Sequence, residues 1–280
     1  MFPLAVSTRP DKAAVNGIIL RHAVLVGLTP LIPIPLLDDV VKSFFARSMI
    51  QSLAHAASLA LTDDEVAALA EERSGGLSGC AFGLVEYGVK RLVRKLVFVL
   101  EWRRAVDLVT RTYYAGRLLA YAFAEGHYRP GDAGQADRLR LAVEQARSGA
   151  NTKLVRTIIG ATFRQSRALI ADTVKLLALS INDVAFRRSR GWLRRGLAVR
   201  LRRRAPRLAR WLYNWARPSP AEAAQTANAV AQAMQRESPR LQMSLGGLIE
   251  RLQVNLSVIP DDHFYALQAR LAAELGPAHS

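Results

Sequence analysis

Two pairs of adjacent aspartates, Asp38 with Asp39 and Asp63 with Asp64, come nearest to a reaction by type and spacing. Paired carboxylates can divide general acid and general base work when their environments differ. Their settings point elsewhere. The first pair closes "PLIPIPLLDD" at 30–39 and the second lies in "TDDE" at 62–65, each leading into residues that repeat apolar side chains at three and four. Aspartates in the first turn of a helix offset the positive end of its macrodipole by about 0.3–1 kcal/mol. Both pairs are expected to be helix-start residues, and no catalytic residue is assigned.

The remaining reactive side chains give no constellation. His22, His55, His127, His263 and His279 are scattered, and none has the spacing of a motif such as HExxH. Cys80 is the single cysteine, which excludes an intramolecular disulfide and every multi-cysteine metal motif and fits a reducing compartment. Gly75, Gly76 and Gly79 follow no strand pattern, and no Lys-Ser/Thr completes a phosphate loop. No metal or cofactor is expected.

Charge carries the stronger signal. The chain has 280 residues with 39 Lys+Arg against 23 Asp+Glu, a net charge of +16, and half of its residues are hydrophobic. Coding bias toward arginine would replace Lys by Arg without creating that excess. So large a positive charge favours polyanionic partners. Residues 186–217, "FRRSRGWLRRGLAVRLRRRAPRLARWLYNWAR", contain twelve arginines and no acid, so twelve of the sixteen net charges fall in one short segment.

Within it Leu193, Leu197, Leu201, Ala205, Leu208, Leu212 and Trp215 step by three or four into one apolar stripe. Arg194, Arg195, Arg202, Arg203, Arg207 and Arg210 lie largely off that stripe, Trp192 and Trp211 join Trp215 in the segment, and Pro206 should bend or split the helix. Guanidinium pairs with phosphate in bidentate fashion and indole prefers the headgroup level, so the segment reads first as a basic amphipathic helix on an anionic membrane surface. The same nine residues would suit nucleic acid, with arginines on phosphates and indoles stacked on bases. An acidic protein partner or a solvated basic face would use them too. The aliphatic stripe, and the absence of a helix-turn-helix, zinc-finger or RNA-recognition signature, favour the membrane reading.

Almost every segment repeats at three and four, which predicts an all-α protein: a multi-helix bundle with long amphipathic helices and a C-terminal group of three shorter ones. Asp11 opens a helix through Val15, Ile18, Ile19, Ala23 and Val26 that stops before Pro30. Val40, Val41, Phe44, Phe45, Met49 and Leu53 give the next helix a wide apolar face. Thr62 and Glu65 form a capping box. Gly79 and Gly83 make a GxxxG within a glycine-rich stretch, read as a loop, as tight soluble packing or as a membrane contact. A long amphipathic helix then runs to near Gly126, with Leu92, Leu96, Val99, Arg103, Val106, Val109 and Tyr113 in helical order. After the loop "HYRPGDAG", a second long helical stretch is expected from about Asp137 to Ile181. "SPAE" at Ser219, Pro239 to Leu256, and Pro260 to Leu275 give the C-terminal three helices. The expected organisation is 1–130, 131–185, 186–217 and 218–280.

The start, "MFPLAVSTRPDK", has no basic n-region or small-residue cleavage site, so no secretion signal is expected. The longest run without charge or histidine, Ala23 to Leu37, has 15 residues and three prolines, short of the roughly 20 a spanning helix needs. No ordinary membrane span is expected. "LVGLTPLIPIPLLDDVVKSFFARSMIQSLA", within about residues 15–60, resembles a bacterial helical family of uncharacterised function that is associated with GTPases and the inner membrane. The likeness rests on Ile32, Pro33, Ile34, Pro35 and Asp38, and the chain departs from that family in lacking a GTPase half and a clear span. The resemblance implies a membrane-associated helical protein without known catalysis. The expectation is a non-enzymatic interaction or scaffold protein, cytoplasmic and peripheral or monotopic at the inner membrane.

Overall fold

The structure, a computed structural model, describes residues 11–31, 38–70, 90–188 and 238–276. These form nine α-helices and no strand, so the chain is all-α as its periodicity predicts. The helices are α1 (Lys12–Leu28), α2 (Asp38–Ala56), α3 (Asp63–Ala70), α4 (Lys90–Ala124), α5 (Ala133–Ser148), α6 (Lys153–Gln165), α7 (Arg167–Arg188), α8 (Ser238–Leu256) and α9 (Asp262–Leu275). The glycine-rich stretch with Cys80, Gly79 and Gly83, the helix expected from Ser219, and His279 lie outside the described residues.

Helix α1 starts where its cap requires. The Asp11 carboxylate accepts the Ala13 amide at 3.0 Å, satisfying one of the orphan donors of the first turn. At the other end the Thr29 hydroxyl donates to the Val26 carbonyl at 2.8 Å, and a 3₁₀ turn (Thr29–Leu31) carries Pro30. Between the caps the helix is apolar on every side, and Ile19, Leu20, Ala23, Val24 and Leu28 are fully buried. Such a helix belongs in a core or a bilayer. By length and composition alone Lys12–Leu31 would suffice to cross a membrane. That corrects the expectation from the 15-residue charge-free run, because a helix tolerates Lys12 and Arg21 within an apolar window. Here α4, α2 and α8 surround it.

The long helix α4 is the other half of this core, with Val106, Val109, Tyr113, Tyr114 and Leu118 buried and Arg103 exposed. It meets α1 antiparallel at two glycines. A Cβ on Gly27 would overlap Val109 Cγ2 and sit 3.0 Å from the Ala105 carbonyl oxygen, and one on Gly116 would come within 2.7 Å of Ile19 Cγ2. Only hydrogen fits at either point. Helix α2 then covers both with Val41, Phe45, Met49 and Leu53, buried on one face at four-residue steps.

The capping box of "TDDE" forms as read and reaches further. Glu65 is buried, and its carboxylate accepts the Thr62 amide and hydroxyl at 2.8 Å each, the Tyr128 hydroxyl at 2.6 Å and the Gly131 amide at 2.7 Å. The Glu65 amide in turn donates to the Thr62 hydroxyl at 3.3 Å. One carboxylate thus fixes the start of α3 and ties it to the loop between α4 and α5. Burial would raise the Glu65 pKa, but these donors prevail and hold it down at about 2.

The stretch from Asp137 to Ile181 is three helices instead of one. Helix α5 stops at Gly149, and Asn151 and Thr152 separate it from α6. A bend at Ser166 separates α6 from α7. Ser166 is buried and accepts from Arg251 Nη1 at 3.3 Å, while Thr162 accepts from Asn255 Nδ2 at 2.8 Å. The bend lets α6 lie on α4 while α7 runs along α8. Helix α9, stopped by Gly276 at φ +78°, packs on α5 and α4.

Gly27→Ala should lower the free energy of unfolding by about 1–3 kcal/mol through overpacking, whereas Gly246→Ala, on an open helix face, should raise it by up to about 1 kcal/mol. Urea midpoints of equal order for the two variants would refute the close α1–α4 contact. Tyr128→Phe should cost about 1.5–3 kcal/mol, the worth of a hydrogen bond to a charged group. Because the folded Glu65 pKa lies below its ordinary 4.5, its contribution is complete above that value and disappears as pH falls toward about 2. Denaturant melts of both chains between pH 6 and 2 should therefore converge in acid.

Candidate functional site

The nine residues expected to meet a polyanion, Trp192, Arg194, Arg195, Arg202, Arg203, Arg207, Arg210, Trp211 and Trp215, lie outside the described residues. The helices that bracket them are described. Gly247 faces Leu169, Arg251 bonds to Ser166 and Asn255 to Thr162, so α8 runs antiparallel to α6 and α7. The C-terminal end of α7 and the N-terminal end of α8 therefore lie at the same end of the bundle. The opposite end of α8 meets the start of α9.

The acidic pairs occupy the helix starts assigned to them. Asp38 and Asp39 are the first two residues of α2, and Asp63 and Asp64, both exposed, open α3. Two of the described histidines hydrogen-bond to other side chains. His22 is buried in α1, with Nδ1 2.9 Å from the Ile18 carbonyl oxygen, to which it donates, and Nε2 3.2 Å from Ser48 Oγ on α2. Burial lowers its pKa and the neighbouring Arg21 lowers it further, while the bond to Ile18 acts the other way. His263 of α9 shares a 2.6 Å hydrogen bond with the Tyr114 hydroxyl of α4. Burial, and then the neighbouring Tyr113, push that phenol up to about 12. Among the described residues no three His, Cys, Asp or Glu side chains converge as metal ligands would.

Beside this Tyr114–His263 pair is a feature with no counterpart in the sequence reading. A cavity of about 640 Å³ opens between α1, the end of α2, the last three turns of α4, and the α8–α9 connection. Its size falls within the range of small-molecule pockets. Helix α4 presents Arg117, Ala120, Tyr121 and Ala124 to it at steps of three and four, and α1 presents Lys12, Asn16 and Ile19. Apolar walls come from Leu53, Leu256, Ile259 and Phe264.

The polar side of the cavity centres on Arg117. Its guanidinium carbon stands 4.4 Å from the centroid of the Phe264 ring, a cation–π contact, and it forms no ion pair with a described residue. Tyr113, one turn earlier, is buried, and burial raises its pKa against the opposing pull of Arg117. Asn16 Oδ1 is buried without a hydrogen-bond partner among the described residues. Glu125 and Asp261 also line the cavity, so its charges are mixed. Sequence reasoning placed Val15, Ile19, Leu53 and Tyr113 on the apolar faces of their helices and assigned nothing to Arg117 or Asn16, because the proximity of these residues is created by five separate segments.

Compared with known proteins, the chain matches no protein-family model, no curated protein and no solved structure.

The burial of His22 has a measurable sign. Its folded pKa lies below the ordinary 6.5, so the unfolded chain binds more protons in that range and stability falls as pH drops below about 6.5. Urea midpoints between pH 8 and 5.5 should decline in the parent chain, and His22→Gln should flatten that decline. An equal slope in both would contradict a neutral, buried His22.

Proposed function

We propose that the protein is a non-catalytic helical component of the cytoplasmic face of the inner membrane, bound peripherally or monotopically to anionic lipid and acting there as an interaction or scaffold protein. The observation that carries this reading is residues 186–217, with twelve arginines, no acid, a continuous apolar stripe and three tryptophans. If half of those arginines face an anionic surface at about 1 kcal/mol each, electrostatics contributes roughly 6 kcal/mol before any apolar insertion. That is enough to hold a protein without a spanning segment.

Two further observations support it. The apolar residues of α1 are packed against α2, α4 and α8, so the helix apolar enough to span is committed to the bundle. The ends of α7 and α8 that bracket the basic segment lie at one end of that bundle, which suits a body standing on a surface by one pole. The likeness of the "IPIPLLD" elbow to an inner-membrane-associated family points the same way.

Flotation of the full chain with phosphatidylglycerol vesicles, with phosphatidylcholine vesicles, and gel shifts on duplex and single-stranded DNA across a salt series test the reading. We expect flotation with the anionic vesicles only, weakening with salt. Substituting Arg194, Arg195, Arg202, Arg203, Arg207 and Arg210 by Gln should weaken it at least about 100-fold, given about 1 kcal/mol per arginine. No flotation under conditions that shift DNA would replace the membrane by nucleic acid as the partner.

A further inference from the structure

We propose that the cavity between α1, α4 and α9 is a binding site for a small amphiphile that carries one carboxylate and an apolar body. Nothing in the anionic-surface reading requires this site.

The charge requirement comes from Arg117. It lines the cavity half-buried, held against the Phe264 ring, and no described carboxylate pairs with it. A guanidinium in a partly desolvated recess is a ready receptor for a planar carboxylate. A single negative charge fits better than the double charge of a phosphate monoester, because Glu125 and Asp261 share the lining with Arg117 and Lys12. The apolar requirement comes from the walls at Ile19, Leu53, Leu256 and Ile259. The volume of about 640 Å³ accommodates a chain of about a dozen carbons with its head group.

The walls are also preformed. Gly116 seats α1 against α4 next to Arg117, and the buried Tyr114 with His263 pins α9 over the same turn of α4. A pocket held by such contacts binds without ordering its walls first.

The test is calorimetric titration of N-dodecanoylglycine, below its micellar concentration, into the full chain. Because the arginine-rich segment could also attract anionic amphiphiles, the titration is run in the variant with the six Arg→Gln substitutions as well. We expect one site per chain that survives in that variant, is weakened at least tenfold for the neutral methyl ester of the same probe, and is weakened at least tenfold by Arg117→Gln. Ala120→Trp, which fills the cavity while leaving the Arg117 side chain in the sequence, should abolish it while the circular dichroism spectrum stays helical. Binding that disappears with the six arginines, or is unchanged in both folded cavity variants, would overturn the proposal. The vesicle flotation of the Ala120→Trp chain should be unaltered, which separates failure of this site from failure of the surface reading.

Discussion

The close approach of α1 and α4 is the constraint on which the rest of the structure depends. Gly27 against the backbone of Ala105 and Val109, and Gly116 against the Ile19 side chain, bring the two helices together where a Cβ would clash. That contact lets an unusually apolar helix be buried from Ile19 to Leu28 apart from Arg21, by α4 and α2 first and α8 along a third line. Each fully buried aliphatic side chain of α1 contributes about 1.5–3 kcal/mol, and shortening Leu20 to alanine would forfeit about 2–5 kcal/mol. A helix that would suffice to cross a bilayer thereby becomes the axis of a bundle.

The polar groups inside this framework hold segments in register. Glu65 gathers four donors from α3's own start and from the loop before α5, so one buried carboxylate satisfies two amides and two hydroxyls at once. Thr162 and Ser166 accept from Asn255 and Arg251 at the bend between α6 and α7, which fixes α8 antiparallel to both. Tyr114 and His263 do the same for α9 on α4. Beyond Gly116 no glycine draws α1 and α4 together, and the space between their diverging ends is the cavity that Arg117 and Asn16 face.

What was legible in the sequence follows from how local each signal is. Asp11 as a cap, Thr62 with Glu65 as a capping box, and the stops at Gly126 and Gly276 depend on a few neighbouring residues, and each is where the pattern puts it. The partners Tyr128 and Gly131 of Glu65 are 63 and 66 residues away, so the box revealed the cap and hid the latch. The division of Asp137 to Ile181 was only partly visible. Gly149 marks one break, but "RQSRAL" reads as continuous helix, and the bend at Ser166 arises from the side chains α8 brings to it. The cavity was invisible for the same reason, since Asn16, Arg117 and Ile259 have no spacing in common. The arginine-rich segment is the converse, a purely local signal of which only 186–188 fall within the described residues.

Taken together, the chain separates two tasks that a membrane-associated protein can combine in one segment. The most apolar of the described helices builds the core, and on the proposed reading the arginine-rich segment is left to meet the anionic surface. Hydrogen exchange of the full chain, followed by mass spectrometry with and without phosphatidylglycerol vesicles, reads both at once. The account predicts that peptides of α1 are among the slowest to exchange in both conditions, while vesicles slow exchange within 186–217. Rapid exchange of α1 in the free protein, or protection of α1 that appears only with vesicles, would contradict it by moving that helix from the core to the membrane.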